Sequence, residues 1–124
     1  MLNKILLIGN LGKDPELTVT ADGTPVTKFS LAVNRKLGSG EKETEWFTII
    51  AWRQLAELCE RFLHKGAKAY VEGRLQQRKY TDKDGKQRTS VEVIASDVKF
   101  LDSKKPGSDA EDIPIDFDAP EPEK

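Results

Sequence analysis

The clearest alternation of apolar and polar side chains runs from Glu45 to Trp52, EWFTIIAW. Successive side chains of a strand point to opposite faces. Phe47, Ile49 and Ala51 are therefore predicted to enter a core, while Trp46, Thr48, Ile50 and Trp52 share the other face. That second set contains the only two tryptophans in the chain, six residues and so roughly 20 Å apart at the usual strand rise. Two readings of this face stand side by side: indoles packed as ordinary core, or indoles left open as platforms on which bases stack.

Residues 3–11, NKILLIGNL, are apolar on both faces, with Ile5 and Leu7 on one and Leu6 and Ile8 on the other. This predicts a strand covered on both sides, and in so short a chain the second cover is expected from another subunit. Gly9, Gly12 and Asp14-Pro15 break the strand. A short extended piece covers Glu16–Thr20, and Asp22-Gly23 signals a hairpin because both residues tolerate positive φ. The return strand, Val26–Asn34, turns Phe29, Leu31 and Val33 to the core and Lys28, Ser30, Ala32 and Asn34 away from it. RKLGSGEK, Arg35–Lys42, reads as a mobile polar loop.

Within Arg53–His64, the stripe Leu55, Leu58, Cys59, Phe62 and Leu63 predicts an amphipathic helix. Gly66 ends it, with His64 and Lys65 in the last turn. Cys59 on that stripe reads as core filler. Two long strands follow, Ala67–Tyr80 and Gln87–Leu101, joined by the turn TDKDGK. Gly73 permits a bend or close approach, and the parity change between Val91, Val93, Ala95 and Val98, Phe100 places a bulge near Ser96-Asp97.

These elements make an all-β chain with one helix, five strands in all, the helix lying between the third and fourth. A small antiparallel sheet of this kind removes its edges by curling into a five-stranded, partly open Greek-key barrel, the OB-fold; a sandwich would need more strands. Beyond Ser103 the composition changes, with four of the six prolines and few residues to bury. Residues 1–102 are therefore expected to form the domain and 103–124 a disordered acidic tail. The net charge of −1 conceals an asymmetry, since 19 basic and 14 acidic residues precede the end of Lys105 and 1 basic and 7 acidic follow it. A basic body with an acidic tail points to a polyanion partner.

Arg74, Arg78, Lys79, Lys83, Lys86 and Arg88 fall within fifteen positions, with Tyr80 among them. Cations interleaved with an aromatic can track a phosphate backbone while bases stack; the plainer reading is a hairpin kept soluble by charge. Taken with the two tryptophans, the pattern favours single-stranded nucleic acid, because a duplex hides its base faces. Catalysis has little support. Glu41, Glu43 and Glu45 could gather a divalent metal for a nuclease, but they lack a histidine or aspartate at matching distance and read better as a solvated strand edge. One histidine, His64, assembles no triad, and no P-loop glycine run occurs. No metal or cofactor is expected. A single cysteine, no apolar run of membrane-spanning length and no secretory pattern at the N-terminus suit a cytoplasmic protein without membrane partners.

Four segments, NKILLIGNLGKDPEL, PVTKFSLAVNR, ETEWFTIIAWRQLAELCERFLHKGAKAYVEGRLQQRKYTDKDGK and TSVEVIASDVKFL, together resemble the bacterial single-stranded DNA-binding protein family from residue 3 to about 101. The resemblance implies an OB-fold that, without catalysis, coats and protects exposed strands in DNA replication, recombination and repair, in a nucleoid-associated cytoplasmic setting. It also implies a homotetramer whose first strands pair across a dimer, which suits Ile5, Leu6, Leu7 and Ile8, with Tyr70 on a strand resembling the tetramer interface. Trp46 matches a stacking tryptophan, Trp52 a stacking position often held by phenylalanine, and Tyr80 one where many members have tryptophan. A further stacking tryptophan of some members would fall after Asn34, where Arg35, Lys36 and Leu37 leave only electrostatic contact.

Family members usually end in an acidic tip with a terminal Ile-Pro-Phe that docks on replication and repair proteins. Here Asp112, Ile113, Pro114, Ile115, Asp116 and Phe117 offer a similar mixture, but seven residues, Asp118–Lys124, follow. A pocket requiring a carboxylate on the phenylalanine would not be satisfied. Two alternatives accompany this reading: a dimeric primosome-type OB-fold adaptor, and, less favoured, a metal-dependent nuclease on the three glutamates.

Overall fold

The computed structural model describes residues 1–102. Among them are six strands and one helix: β1 (Ile5–Leu11), β2 (Glu16–Val19), β3 (Pro25–Lys36), β4 (Lys42–Trp52), α1 (Arg53–Phe62), β5 (Lys68–Thr81) and β6 (Gln87–Phe100). The extra strand is β2, whose four residues are all exposed and which pairs with β3 across the Asp22-Gly23 hairpin. With β2 counted, the helix follows the fourth strand rather than the third.

Strands run in the order β1-β5-β6-β4-β3-β2, and a further pairing of β1 with β3 closes a five-stranded ring. Closure rests on two residue pairs, Asn10 with Ala32 and Leu11 with Leu31. Gly9 makes the approach possible, since a Cβ there would stand 2.3 Å from the carbonyl oxygen of Ala32. All the ladders are antiparallel except one: β4 and β6 run parallel over Thr48–Ile50 and Glu92–Ile94. An all-antiparallel sheet was the expectation from alternation, which carries no information about the direction of a neighbour.

Inside the ring, Leu7, Leu11, Phe29, Leu31, Ile49, Ala51, Val71, Val93 and Val98 form one apolar cluster. The alternation of β3 and β4 holds: Phe29, Leu31, Ile49 and Ala51 are buried, with Val33 and Phe47 partly so. The parity change in β6 is a β-bulge. Glu72 pairs with Asp97 and Gly73 with Ala95, leaving Ser96 as the extra residue, and its hydroxyl donates to the carbonyl of Glu72 at 3.0 Å. Val91 lies beyond the core and is exposed.

The helix departs from its expected stripe. Ala56, Cys59 and Leu63 are buried and Leu55 partly so, whereas Leu58 and Phe62 are exposed, Phe62 lying 5.5 Å from the Phe100 ring. Small Ala56 lets the helix approach β3 closely enough for the buried Thr27 hydroxyl to donate to its carbonyl at 2.7 Å. Burial pushes the Cys59 thiol up to about 12, in keeping with its role as filler. Helical pairing ends at Phe62, so His64 and Lys65 lie past the last turn, and Arg61 is the basic residue within it. At the other end β4 runs into α1 with no intervening loop. Trp52 is both the last strand residue and the position before the first helical one, and Arg53 takes the left-handed region at φ 59°.

Candidate nucleic-acid interface

Because β4 alternates, the side chains that do not enter the core gather on one outer face with those of its neighbours. Ala32 lies opposite Trp46, Ser30 opposite Thr48, Lys28 opposite Ile50 and Val26 opposite Trp52. Across the parallel ladder, Glu92 is level with Thr48 and Ile94 with Ile50. On β5, Gln76 faces Glu92 and Arg74 faces Ile94. The result is a groove of about 510 Å³ lined by residues of β3, β4, β5 and β6, with Trp52, Ile50 and Ile94 among them.

Both tryptophans are open to solvent, Trp46 at 59% and Trp52 at 40% of full exposure. Packing as core, one of the two readings of this face, therefore does not hold for either. Trp46 lies against the backbone at Gly12, where a Cβ would stand 2.6 Å from Cζ3 of the indole. Glycine there leaves room for the edge of the ring to approach the backbone. Tyr80, exposed at 43%, stands two and four residues beyond Arg78 and Gln76 on the same face of β5, and opposite Arg88 of β6.

The expected cations divide into distinct settings. Arg74 and Arg78 line the groove. Arg78 Nη2 lies 3.4 Å from the Glu92 carboxylate, and Arg74 Nη1 donates to Gln76 Oε1 at 3.3 Å. Lys79 falls on the opposite parity of β5, away from the groove. Lys83 and Lys86 flank a tight turn in which the Asp82 carboxylate accepts from the backbone N–H of Asp84 and Lys86, each at 2.9 Å. Arg88 Nε donates to the same carboxylate at 2.8 Å. That arginine, with the two backbone donors, holds Asp82 below the usual carboxylate range.

Arg35 and Lys36 are not in a loop. They extend β3, which stays paired with β4 as far as Lys36 opposite Lys42, and Leu37–Glu41 closes a hydrogen-bonded turn. Arg35 is ion-paired with Glu43 of the facing strand. Of the three glutamates considered for a metal, Glu43 is thus engaged by a cation, and no group of three or more His, Cys, Asp or Glu side chains among the described residues is placed to hold a metal ion.

Among the groove residues that the sequence did not mark are two charged ones, Lys28 and Glu92. Lys28 is polar-side on β3 by alternation, but only the pairing shows that it faces Ile50 beside Trp52. Glu92 is buried at 5% exposure in the groove although glutamate in mid-strand suggests a solvated face. No local signal distinguishes it.

On a separate face, β1 presents Leu6 and Ile8, exposed at 57% and 55%. Ile5 and Leu7 point inward, and Ile8 lies opposite Tyr70 on β5. The two-sided apolar character of β1 is therefore half satisfied within the chain. Tyr70 donates its hydroxyl to Glu72 at 3.0 Å, and Lys4 reaches the same carboxylate at 3.0 Å. Lys4, and then Tyr70, holds Glu72 low, whereas desolvation followed by Glu72 itself raises the Tyr70 phenol. Asp112–Phe117 lie outside the described residues.

A five-stranded barrel with aromatic side chains and arginines on one open face defines an OB-fold of the nucleic-acid-binding kind. The model of the Single-strand binding protein family matches residues 2–101, and the chain belongs to that family. Among its relatives, a single-stranded DNA-binding protein of Caldanaerobacter subterraneus subsp. tengcongensis is 43% identical, the match covering 95% of this chain and 91% of the relative. Single-stranded DNA-binding protein 3 of Listeria innocua is 46% identical over 87% of this chain and 69% of its own length. The fold is similar to that of a Plasmodium falciparum SSB solved in complex with ssDNA, with a TM-score of 0.76 and 34% identity, covering 82% of this chain and 96% of that one. No helix among the described residues is long and apolar enough to cross a membrane.

Proposed function

We propose that this chain binds single-stranded DNA without strong sequence preference, coating exposed strands in replication, recombination and repair, and that it acts by binding rather than catalysis. The observation that carries the reading is the pair of exposed indoles, Trp46 and Trp52, on one face of a single strand, beside a groove flanked by Lys28, Arg74 and Arg78. Trp46, Trp52 and Tyr80 stack bases, and the groove arginines with Lys83, Lys86 and Arg88 on the neighbouring hairpin contact phosphate. Arg35, offset by Glu43, and Lys79, on the far face, contribute less. Addition of oligo-dT should quench tryptophan fluorescence, and rising salt should restore it as counterions compete for the cations. Unchanged fluorescence at saturating oligonucleotide would refute the assignment.

The functional unit is a homotetramer of 1–102 domains, with 103–124 as an acidic tail for replication and repair partners, in the cytoplasm on the nucleoid. Leu6 and Ile8 support the first part, because β1 pairs with β3 only at Asn10 and Leu11 and leaves residues 5–8 with a free edge among the described residues. A second β1 would cover both edge and side chains. Sedimentation of the wild type and of Leu6→Asp tests this: a tetramer that dissociates in the variant is expected, and a wild type that is a monomer, or a stable dimer as the adaptor alternative requires, would overturn it.

A further inference from the structure

A buried carboxylate is an unexpected group in a polyanion-binding groove. Glu92 stands in mid-strand on β6, level with Thr48 of β4 and opposite Gln76 of β5. Its side chain is 6% exposed and lines the groove together with Ile50, Ile94 and Trp52. Among the described residues its side-chain partner is Nη2 of Arg78 at 3.4 Å, a long contact to an arginine that is itself 56% exposed. An ionised carboxylate offers about four acceptor sites and no donor, so most of its accepting capacity is not engaged by Arg78. The cations Lys28, Arg74 and Arg78 are exposed, while Glu92 and Ile50 are buried beneath them. The groove therefore has a basic rim over an apolar floor that contains one anion.

We infer that Glu92 is a specificity-determining residue whose carboxylate keeps phosphate out of the groove floor, so that a strand enters with its bases inward and its backbone along Lys28, Arg74 and Arg78. The inference rests on the single-strand reading above. A phosphate in the floor would shed water beside a buried like charge, where repulsion is screened less than at an exposed surface. A base meets no such penalty: its faces suit Ile50 and Trp52, and the N–H groups on its edge are donors that a carboxylate accepts. The contact with Arg78 serves the same arrangement, anchoring one guanidinium nitrogen at the floor and leaving the remaining donors for phosphate at the rim.

The test compares two ligands of equal length and charge, an oligothymidylate and an oligomer made only of abasic tetrahydrofuran nucleotides, on the full chain at one salt concentration. The wild type should prefer the oligothymidylate. In Glu92→Gln, which keeps the shape and removes the charge, the ratio of the two affinities should fall by about threefold or more as abasic binding gains. Gln76→Glu places a second carboxylate opposite Glu92 and should raise the ratio by a similar factor, which keeps the idea testable should Glu92→Gln fail to fold. A smaller change of ratio in whichever variants fold, with both ligands moving together, would overturn the inference and leave Glu92 as a general charge or a structural support. Failure of the wild type to bind the oligothymidylate at all would instead overturn the single-strand reading.

Discussion

Replacing each tryptophan by alanine separates the role of these residues in binding from their role in the fold, because burial ranks the two whereas stacking of one base on each does not. Trp46 is 59% exposed and Trp52 40%. Taking roughly 250 Å² for the surface of a whole tryptophan, the fold covers about 100 Å² of Trp46 and about 150 Å² of Trp52. At about 25 cal/mol per Å² this bounds the lost burial at roughly 2.5 and 4 kcal/mol. Trp52→Ala should therefore lower the urea midpoint more than Trp46→Ala. Stacking of one base on an indole contributes about 1–3 kcal/mol, or about fivefold to 150-fold in affinity. Each variant should lose that much for oligo-dT, followed through the fluorescence of the remaining tryptophan, while Trp→Phe at either position should retain most of it. Binding losses that merely followed the stability ranking, or that stayed within about twofold for both variants, would refute the stacking assignment.

Gly12→Ala should push the Trp46 ring off the barrel, since the added Cβ would meet the indole at 2.6 Å. Because the far end of a side chain can give way, oligo-dT affinity should fall severalfold while the melting temperature changes little; calorimetry and titration together check this. Gly73→Ala meets backbone instead, the Ile94 carbonyl oxygen at 2.3 Å, and should cost about 1–3 kcal/mol in urea unfolding by forcing the bulge apart. Asp82 is held low in the folded chain by Arg88 and two backbone donors. Its contribution is present above the ordinary aspartate range and is lost as pH falls through the depressed folded value. Amide exchange at Asp84 and Lys86, corrected for the intrinsic acid rate, should therefore accelerate on acidification, and Asp82→Asn should remove that pH dependence.

Much of the barrel was legible because one buried face imposes a period of two. In EWFTIIAW a register error of one residue would expose Phe47, Ile49 and Ala51 together, so the alternation was a strong constraint and the structure follows it. β2 has no buried face, so in the sequence Glu16–Val19 reads only as a short extended piece before the hairpin and not as one of the strands of the barrel. In α1 the large side chains misled. Leu58 and Phe62 drew the stripe toward themselves, whereas the closest packing is made by Ala56 under Thr27, where small size is the requirement. The parallel pairing of β4 with β6, and with it the positions of Glu92 and Lys28 in the groove, depend on contacts between segments some 20 to 60 residues apart in the chain. Periodicity within a segment does not encode such neighbours.

The direct passage of β4 into α1 at Trp52 makes the helix a remote reporter of the groove. A left-handed Arg53 costs on the order of 1 kcal/mol and persists because packing fixes the chain on both sides: Trp52 at the end of the ladder, Ala56 and Cys59 against the core. Fraying of the first helical turn would relieve that torsion and unseat the indole with it. Thermodynamic reciprocity then requires that a ligand which holds the indole also hold the turn. Bound oligonucleotide should slow amide exchange at Leu55–Glu57, residues absent from the groove lining, and loosening the helix with Ala56→Gly should shorten the residence time of DNA on a surface it never contacts.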